Sequence, residues 1–397
     1  MLLLPGLAAP GLAQSTVRSC EVLLRDGRLL GADRITGGGS SLALVAGSEK
    51  RDVPLAEVVA VLGVAVQPSS LPAVQLAGGD VVRGLLVGGD AAGNHVELQA
   101  PVLGRLRLPV DRLESIVLRP ELARAQDLVL PDGADEALFA KAALGFDRIV
   151  GTLHQFGDLG IRFQPKDKEQ PDWYSPRDLV GLRVRGSAGP AHPAVAELCT
   201  RAGDRVGVTA FEFAGAELRA KLEGGDERTV ALGDLACLTR LDPAITFAST
   251  LEPVNVAEAA HDGDVLLPWQ RDAAVTGGPL LAGGRTWGRG LGVHSRSRLV
   301  FKVPVGRAVF AARVAFDDTA LQLPVRGSVD VTVRVGDAVV FQQKDLRAGA
   351  PPAPIGPVPV RAGDQVSLEV DFGGGRDLGD RVDWLLPVFL PAATAAK

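Results

Sequence analysis

The sequence predicts a mainly β protein, with a C-terminal jelly-roll-like β-sandwich preceded by repeated small β-barrel or β-hairpin units. Three observations carry this expectation. Turn-forming residues are abundant, with 48 glycines and 27 prolines among 397 residues, and long runs of helix formers are few. Apolar and polar residues alternate with a period of two in many short stretches, the mark of half-buried antiparallel strands. A strand–turn–strand grammar recurs along the N-terminal part of the chain.

A chain of this length exceeds one ordinary core, so two or three domains are expected. Apolar residues make up 46% and charged residues 22%, the balance of a folded chain. The net charge of −5 does not favour nucleic acid. No run beyond the N-terminus reaches the roughly 18 apolar residues needed to span a bilayer. Residues 1–14, within MLLLPGLAAPGLAQS, read as a secretory signal with cleavage after Ala13 fitting, although the basic n-region is missing. They imply a secreted, periplasmic or cell-surface protein. Cys20 follows Val17-Arg18-Ser19, which does not fit a lipoprotein box. Cys20, Cys199 and Cys237 lack CxxC spacing, so no metal cage is expected. Cys199 and Cys237 flank one β unit; they could bridge in an oxidising compartment or pack as two small hydrophobes, and both readings stand.

Residues 15–119 hold two copies of the repeated unit. The first contains EVLLRDGRLLGADRI, SLALVAG and RDVPLAEVVAVLG; the second contains VQLAGGDVVRGLLVGG, HVELQA and GRLRLPVDRLESIVL. Residues 120–145 read as a helical connector. Pro131-Asp132-Gly133 makes a turn, Asp135 and Glu136 suit a helix N-terminus, Leu138, Phe139 and Ala142 form a stripe, and Gly145 ends it. Residues 146–241 hold two weaker copies, with DRIVGTLHQFG and SPRDLVGLRV, then RAGDRVGVTAFEF and RTVALGDLACLTRL. One such unit cannot bury its apolar face alone, so the copies should stack or pair. Their grammar resembles SH3-like or Sm-like barrels. No basic patch is interleaved with aromatics, so a structural role, or docking of a protein partner, is expected instead of RNA binding. Trp173 and Tyr174, in a loop between Pro171 and Pro176, hint at a second binding surface. Residues 242–264, punctuated by Pro243 and Pro253, read as a linker, and 265–391 as the sandwich, expected to fold alone from about Leu251.

The stretch 286–318 organises that sandwich. Gly288, Gly290 and Gly292 form a loop, followed by period-two runs over 293–303 and 308–316. Leu299, Phe301 and Val303 face inward with Ser295 and Ser297; His294, Arg296, Arg298 and Lys302 face the other way. Val382, Trp384, Leu386 and Val388 should share one core face, while Trp269 fits either core or surface. The segments GRGLGVHSRSRL, FAARVAFDD and DRVDWLLPVFL, with DAAVTGGPLLAGGRTW upstream, resemble the NPCBM family of carbohydrate-binding modules over about residues 251–390. The resemblance implies a galactose-binding-like β-sandwich that is usually secreted, often joined to glycoside hydrolases, with a polysaccharide or glycan as partner.

A glycosidase needs two carboxyl groups about 5–10 Å apart. Asp317 and Asp318 are adjacent and in a strand would diverge, so a turn role or bonding to loop amides is expected. No GxSxG elbow is present, and the glycine loop lacks the strand–loop–helix context of a phosphate cradle. No catalytic set emerges, so an enzyme is not expected. The carbohydrate-binding candidates are Trp287, Arg289, His294, Arg296, Asp317 and Asp318. Trp287 lies in a glycine-rich loop outside any strand phase and would offer an exposed ring to a pyranose. His294 reads as a structural histidine bonded to backbone, and is the motif histidine of the resembled family. Arg296, Arg298 and Lys302 form a cationic row suited to acidic sugars or carboxylates. No cofactor is expected; calcium could sit in the acidic loops Asp262-Gly263-Asp264 or 377–380, neither of which has EF-hand spacing. The combined reading is an exported, non-catalytic protein with a carbohydrate-binding C-terminal module. Two alternatives stand: a structural or adhesive protein whose sandwich binds a protein or acidic polymer, and an accessory subunit of a glycoside hydrolase.

Overall fold

The computed structural model describes residues 20–38, 40–66, 69–90, 92–186, 193–261 and 265–392. The apolar leader and the Asp262-Gly263-Asp264 loop lie outside these residues. The protein is mainly β, and antiparallel pairing dominates.

Among the described residues, four β units share one closure. In each, the first strand pairs antiparallel with the last: Cys20–Leu24 with Val58–Leu62, Ala73–Leu76 with Leu113–Val117, Glu136–Lys141 with Leu179–Val184, and Ala196–Thr200 with Leu235–Arg240. Every closing strand carries a β-bulge at the matching position, with Val59, Glu114, Val180 and Ala236 as the extra residue. A bulge shifts the side-chain phase by one. The inward residues are therefore three apart, as in Val58 and Val61, Leu113 and Ile116, Leu179 and Leu182, and Leu235 and Leu238, all in one core.

The units pair in a nested order. The closing strand of the first runs antiparallel to that of the fourth (Leu62 opposite Cys237), and the second pairs likewise with the third (Val117 opposite Gly181). Reciprocal polar contacts join second to fourth: Gly207 N donates to Asp80 at 2.9 Å, and Arg83 N donates to Asp204 at 2.8 Å.

The connector contains no helix over 135–145. Glu136–Lys141 is the first strand of the third unit, paired on both sides with Phe146–Gly157 and Leu179–Val184. Leu138 enters the unit core while Ala137 and Phe139 are buried on the opposite face. A short strand apolar on both faces has no alternation to set it apart from a helix.

The sandwich has two sheets around a second core. One orders Gln270–Arg271, Gly290–His294, Arg381–Leu390, Val309–Phe316 and Ala353–Pro359; the other orders Asn255–Glu258, Ser297–Lys302, Gln365–Phe372, Ser328–Val335 and Ala338–Arg347. Three expectations change here, and one further strand joins the first sheet. The run 293–303 is two strands in different sheets, because the chain crosses between sheets at Ser295 and Arg296. Residues 242–264 are not a free linker, since Thr246–Phe247 pairs with Arg381–Leu390 and Asn255–Glu258 pairs with Ser297–Lys302. The proline-rich stretch after Gly349 includes an edge strand, where missing N–H groups cost no ladder bond. Leu386, at φ +44°, lies in a register shift that turns Val388 away from Val382 and Trp384.

Leu385, Leu386, Val388, Ala311 and Ala315 consequently face outward from the sandwich, and that face is covered. Val59, Ala60, Leu62, Ala236 and Cys237, on the outer side of the first–fourth closing strands, pack against it. On the second–third pair the equivalent face, with Val117 and Val180, is covered by connector residues Ala123 and Leu128. The sandwich thus shares an apolar layer with the units. A fragment starting at Leu251 loses the Thr246–Phe247 strand and bares this layer, a contiguous patch of the kind that drives association. It should bind a hydrophobic dye and aggregate where the whole chain stays monodisperse; light scattering alongside dye fluorescence checks this, and a monodisperse, non-binding fragment would contradict it.

Candidate functional site

A cleft of about 600 Å³ opens where the first unit meets the sandwich. Glu21, Glu49 and Arg51 line it from the first unit, and Arg285, Trp287 and Arg313 from the sandwich. The hairpin Leu280–Ala282/Arg285–Trp287 delivers two of these residues. Its two-residue turn is Gly283-Gly284, at φ +61° and +69°, which only residues free of a Cβ adopt readily. Gly283 N and Gly284 N donate to Asp318 at 3.1 and 2.8 Å, and Leu281 N donates to Asp317 at 3.2 Å. Both aspartates are therefore bonded to loop amides, and they position the rim of the cleft.

Behind them Asp383 is fully buried, and neither of its oxygens receives an N–H or O–H from the protein. Burial, reinforced by the neighbouring Asp317, pushes the Asp383 carboxyl well above the ordinary range. In its protonated form Asp383 can donate to Asp317, which removes the repulsion between the two neighbouring carboxylates. Burial also raises Asp318, against the pull of the Gly284 and Gly283 amides.

Trp287 is not an exposed loop ring. It is 2% exposed, ends a strand, and its indole N–H donates to the Ala282 carbonyl at 3.1 Å. It packs in the layer between sandwich and units and forms the wall between the cleft and a cavity of about 280 Å³ behind it. A phase argument within the sandwich could not find the first unit that covers it. Arg285 is also buried, with Nη1 donating to Gly63 O at 2.8 Å and its guanidinium 3.7 Å from Glu21. Arg313 Nη1 donates to Pro352 O at 3.4 Å, and burial, opposed by Glu21, lowers its pKa.

The other candidates do not join the cleft. Arg289 lies in an ion network between the fourth unit and the sandwich, 2.6 Å from Asp272 and 3.1 Å from Glu197, with Arg205 2.8 Å from Glu197 and 3.5 Å from Asp272. Gly288 next to it approaches Cys237 so closely that a Cβ would sit 2.8 Å from the sulfur. His294 is half-buried, its Nδ1 2.8 Å from the Ser295 carbonyl oxygen, which fits the structural reading. Two members of the cationic row are paired: Arg296 lies 3.4 Å from Asp371 and Arg298 lies 3.2 Å from Glu369, which also meets Arg334 at 3.4 Å, while Lys302 is exposed. The outer sheet face around Arg296 and Arg298 is therefore of mixed charge, which weakens the basis for an acidic polymer there. Trp384 is fully buried, as expected of a core residue, and the Trp269 ring is half-buried under the Arg271 guanidinium at 4.8 Å.

Cys199 and Cys237 stand directly opposite one another on paired strands as free, buried thiols. A hydrogen bond with Cys237, reinforced by burial, raises the Cys199 pKa well above the ordinary thiol range. In the acidic stretch near Asp380, Asp377 accepts His261 N at 2.8 Å, and Asp380 accepts Ser328 N at 3.0 Å and the Ser295 hydroxyl. Among the described residues no group of three or more His, Cys, Asp or Glu is arranged to hold a metal, and no helix is long and apolar enough to cross a membrane.

Glu21, Glu49, Arg51, Arg285 and Arg313 were absent from the sequence candidates because they come from segments far apart in the chain. One readable signal existed: Gly-Gly between LLA and RTW marks a two-residue hairpin.

The raised Asp383 carboxyl generates a pH prediction. A carboxyl whose folded pKa lies above its unfolded value contributes stability below the unfolded value and loses it as pH rises through the folded one. The wild-type protein should lose stability from Asp383 as pH climbs above the usual carboxylate range. Asp383→Asn keeps a donor for Asp317 and cannot ionise, so its urea midpoint relative to wild type should rise with pH. A difference that stays flat or falls would contradict a raised Asp383.

Among solved structures, the chain is similar to a CBM51 module from Clostridium perfringens GH95 in complex with methyl-galactose, at 18% identity over 36% of this chain and 99% of that one, with a TM-score of 0.33. It is similar to CBM51-2 with the INT domains of ZmpB from the same organism, in complex with GlcNAc, at 20% identity over 47% of this chain and 41% of that one, with a TM-score of 0.32. It is also similar to tandem CBM51 modules of a family 98 glycoside hydrolase from Streptococcus pneumoniae, at 12% identity over 94% and 88%, with a TM-score of 0.32. No curated protein matches the chain. Residues 246–390, which run from the strand that opens the sandwich to the last residue of the strand that closes it, match the family model of the NPCBM/NEW2 domain.

Proposed function

We propose that the C-terminal module binds a glycan in the cleft it shares with the first unit, and that the protein is an exported, non-catalytic binding protein. The observation that carries this reading is the lining of the cleft. Carboxylates and guanidiniums from two bodies converge on one concave space in a chain whose C-terminal part matches a carbohydrate-binding module family. Planar groups with fixed donor and acceptor pairs are what sugar hydroxyls require. A binding role, not hydrolysis, is supported because Asp317 and Asp318 spend their oxygens on backbone amides.

Glu49 and Arg51 are exposed. Their replacement by Gln and Ala should leave the fold intact and weaken binding of whichever glycan an array of the whole chain selects, each by roughly tenfold, the scale of about 1.4 kcal/mol per interaction lost. Titration calorimetry reads this, and unchanged affinity in both variants would remove the cleft as the site. Trp287→Ala is unsuitable as a probe, since it hollows the layer between the two bodies.

Export rests on the apolar leader. Residues 1–30 fused to a reporter should carry it out of the cytoplasm, and full cytoplasmic retention would refute this part.

A further inference from the structure

The third unit carries a surface that the cleft does not use. Trp173 was expected in a loop, but Asp172–Tyr174 is a strand that, among the described residues, pairs only with Gly160–Pro165. Residues directly opposite in antiparallel strands share a face. Gln155, Arg162 and Trp173 therefore stand in one row across three strands, facing solvent, while Phe156, Ile161 and Tyr174 face the core. The Trp173 indole is 40% exposed. Its six-membered ring lies over Gly157, where a Cβ would come within 2.9 Å of the ring. One face of the indole is thus seated on bare backbone, which leaves the other as the face a ligand can reach.

The groups beside the ring are unspent. Arg162 is exposed, and among the described residues its guanidinium has neither an ion pair nor a hydrogen bond. Asp172, the acid nearest in sequence to Trp173, is bonded to Lys168. Gln155 uses its amide N–H on the Asp90 carbonyl at 3.5 Å, which leaves the amide oxygen to accept from a hydroxyl. A large aromatic held in a fixed pose yet 40% exposed, with an unpaired guanidinium in its row, is the kind of exposed surface that marks a binding site.

We propose that this row is a second glycan site, separate from the cleft, which takes a uronate-containing oligosaccharide. The pyranose ring stacks on the open face of Trp173, its carboxylate pairs with Arg162, and a hydroxyl donates to Gln155. Stacking of planar and ring ligands on aromatics is sequence-tolerant and worth a measurable share of affinity, and a guanidinium matches a carboxylate bidentately.

The test uses the whole chain, with trimers of galacturonate, glucuronate and guluronate titrated by calorimetry and tryptophan fluorescence, and neutral galactotriose as control. At least one uronate trimer should bind. Trp173→Ala should weaken that binding by roughly ten- to a hundredfold with an unchanged melting temperature. Arg162→Ala should weaken the uronate trimer by roughly tenfold and leave any galactotriose binding unchanged. Gly157→Ala, which keeps all three row residues but lifts the ring, should also weaken it. Arg51→Ala, in the cleft, should have no effect on this binding. No binding of any uronate trimer, or binding unchanged in Trp173→Ala, overturns the proposal, as does loss of a protein partner from Trp173→Ala without any glycan bound. Failure of the cleft alone, seen as Arg51→Ala matching wild type on the array-selected glycan, leaves this row untouched.

Discussion

A closing strand that is apolar on both faces governs how this protein is assembled. The bulge at Val59, Val180 and Ala236 turns one set of side chains into the unit core and another outward. The outward set would otherwise meet water, and each fully buried Val or Leu is worth about 1.5–3 kcal/mol over exposure. Pairing the units edge to edge joins these faces into a broader one but does not cover it. Something else must lie across each pair. On the second–third pair it is the chain's own connector, and on the first–fourth pair it is the sandwich. The nested order of units follows, since the fourth must return to the first before the sandwich can begin at Thr246.

The polar contacts across the same layer have a different role. Arg205, Arg289, Glu197 and Asp272 balance two positive against two negative charges at side-chain exposures of 11–29%. Burial lowers the Arg205 pKa, and Glu197 and Asp272 outweigh it and hold the guanidinium charged. Such a group seldom adds net stability over an apolar equivalent, yet losing one member is costly. It admits one seating of the sandwich on the units and penalises others. Thr286, which accepts Val66 N at 2.7 Å, adds to this selection near the cleft.

Much of the architecture was legible, and the failures have physical causes. The repeated grammar marked the units because turn residues recur at matching offsets, and alternation over 308–316 marked the sandwich strand Val309–Phe316. Glu136–Lys141 was misread because two-sided burial erases the period that separates strand from helix. Thr246–Phe247 and Asn255–Glu258 are too short to show a period, so prolines beside them suggested a linker. Leu386 and Val388 changed face through a bulge that no alternation announces. The candidate site was legible only in its supports. For Asp317 and Asp318 a turn role, or one of them bonding loop amides, was readable because adjacent carboxylates cannot serve one bond; both in fact accept backbone N–H groups. Trp287 was not readable, since its covering surface is built from residues of another unit.

The same docking of the first unit on the sandwich builds the cleft. Glu21, Glu49 and Arg51 belong to the first unit, and Arg285, Trp287 and Arg313 to the sandwich, so the concave space exists only while the two bodies are docked. A ligand held by both sides binds the docked state and not the separated one. By linkage it stabilises docking by the same free energy that docking lends to its affinity. The neighbouring aspartates act on the same hairpin from behind, because Asp318 holds the Gly283-Gly284 turn and Asp317 holds Leu281 on the strand before it. The apolar layer therefore underlies the cleft, and the tryptophan expected to meet a sugar instead seals the joint that creates the cavity.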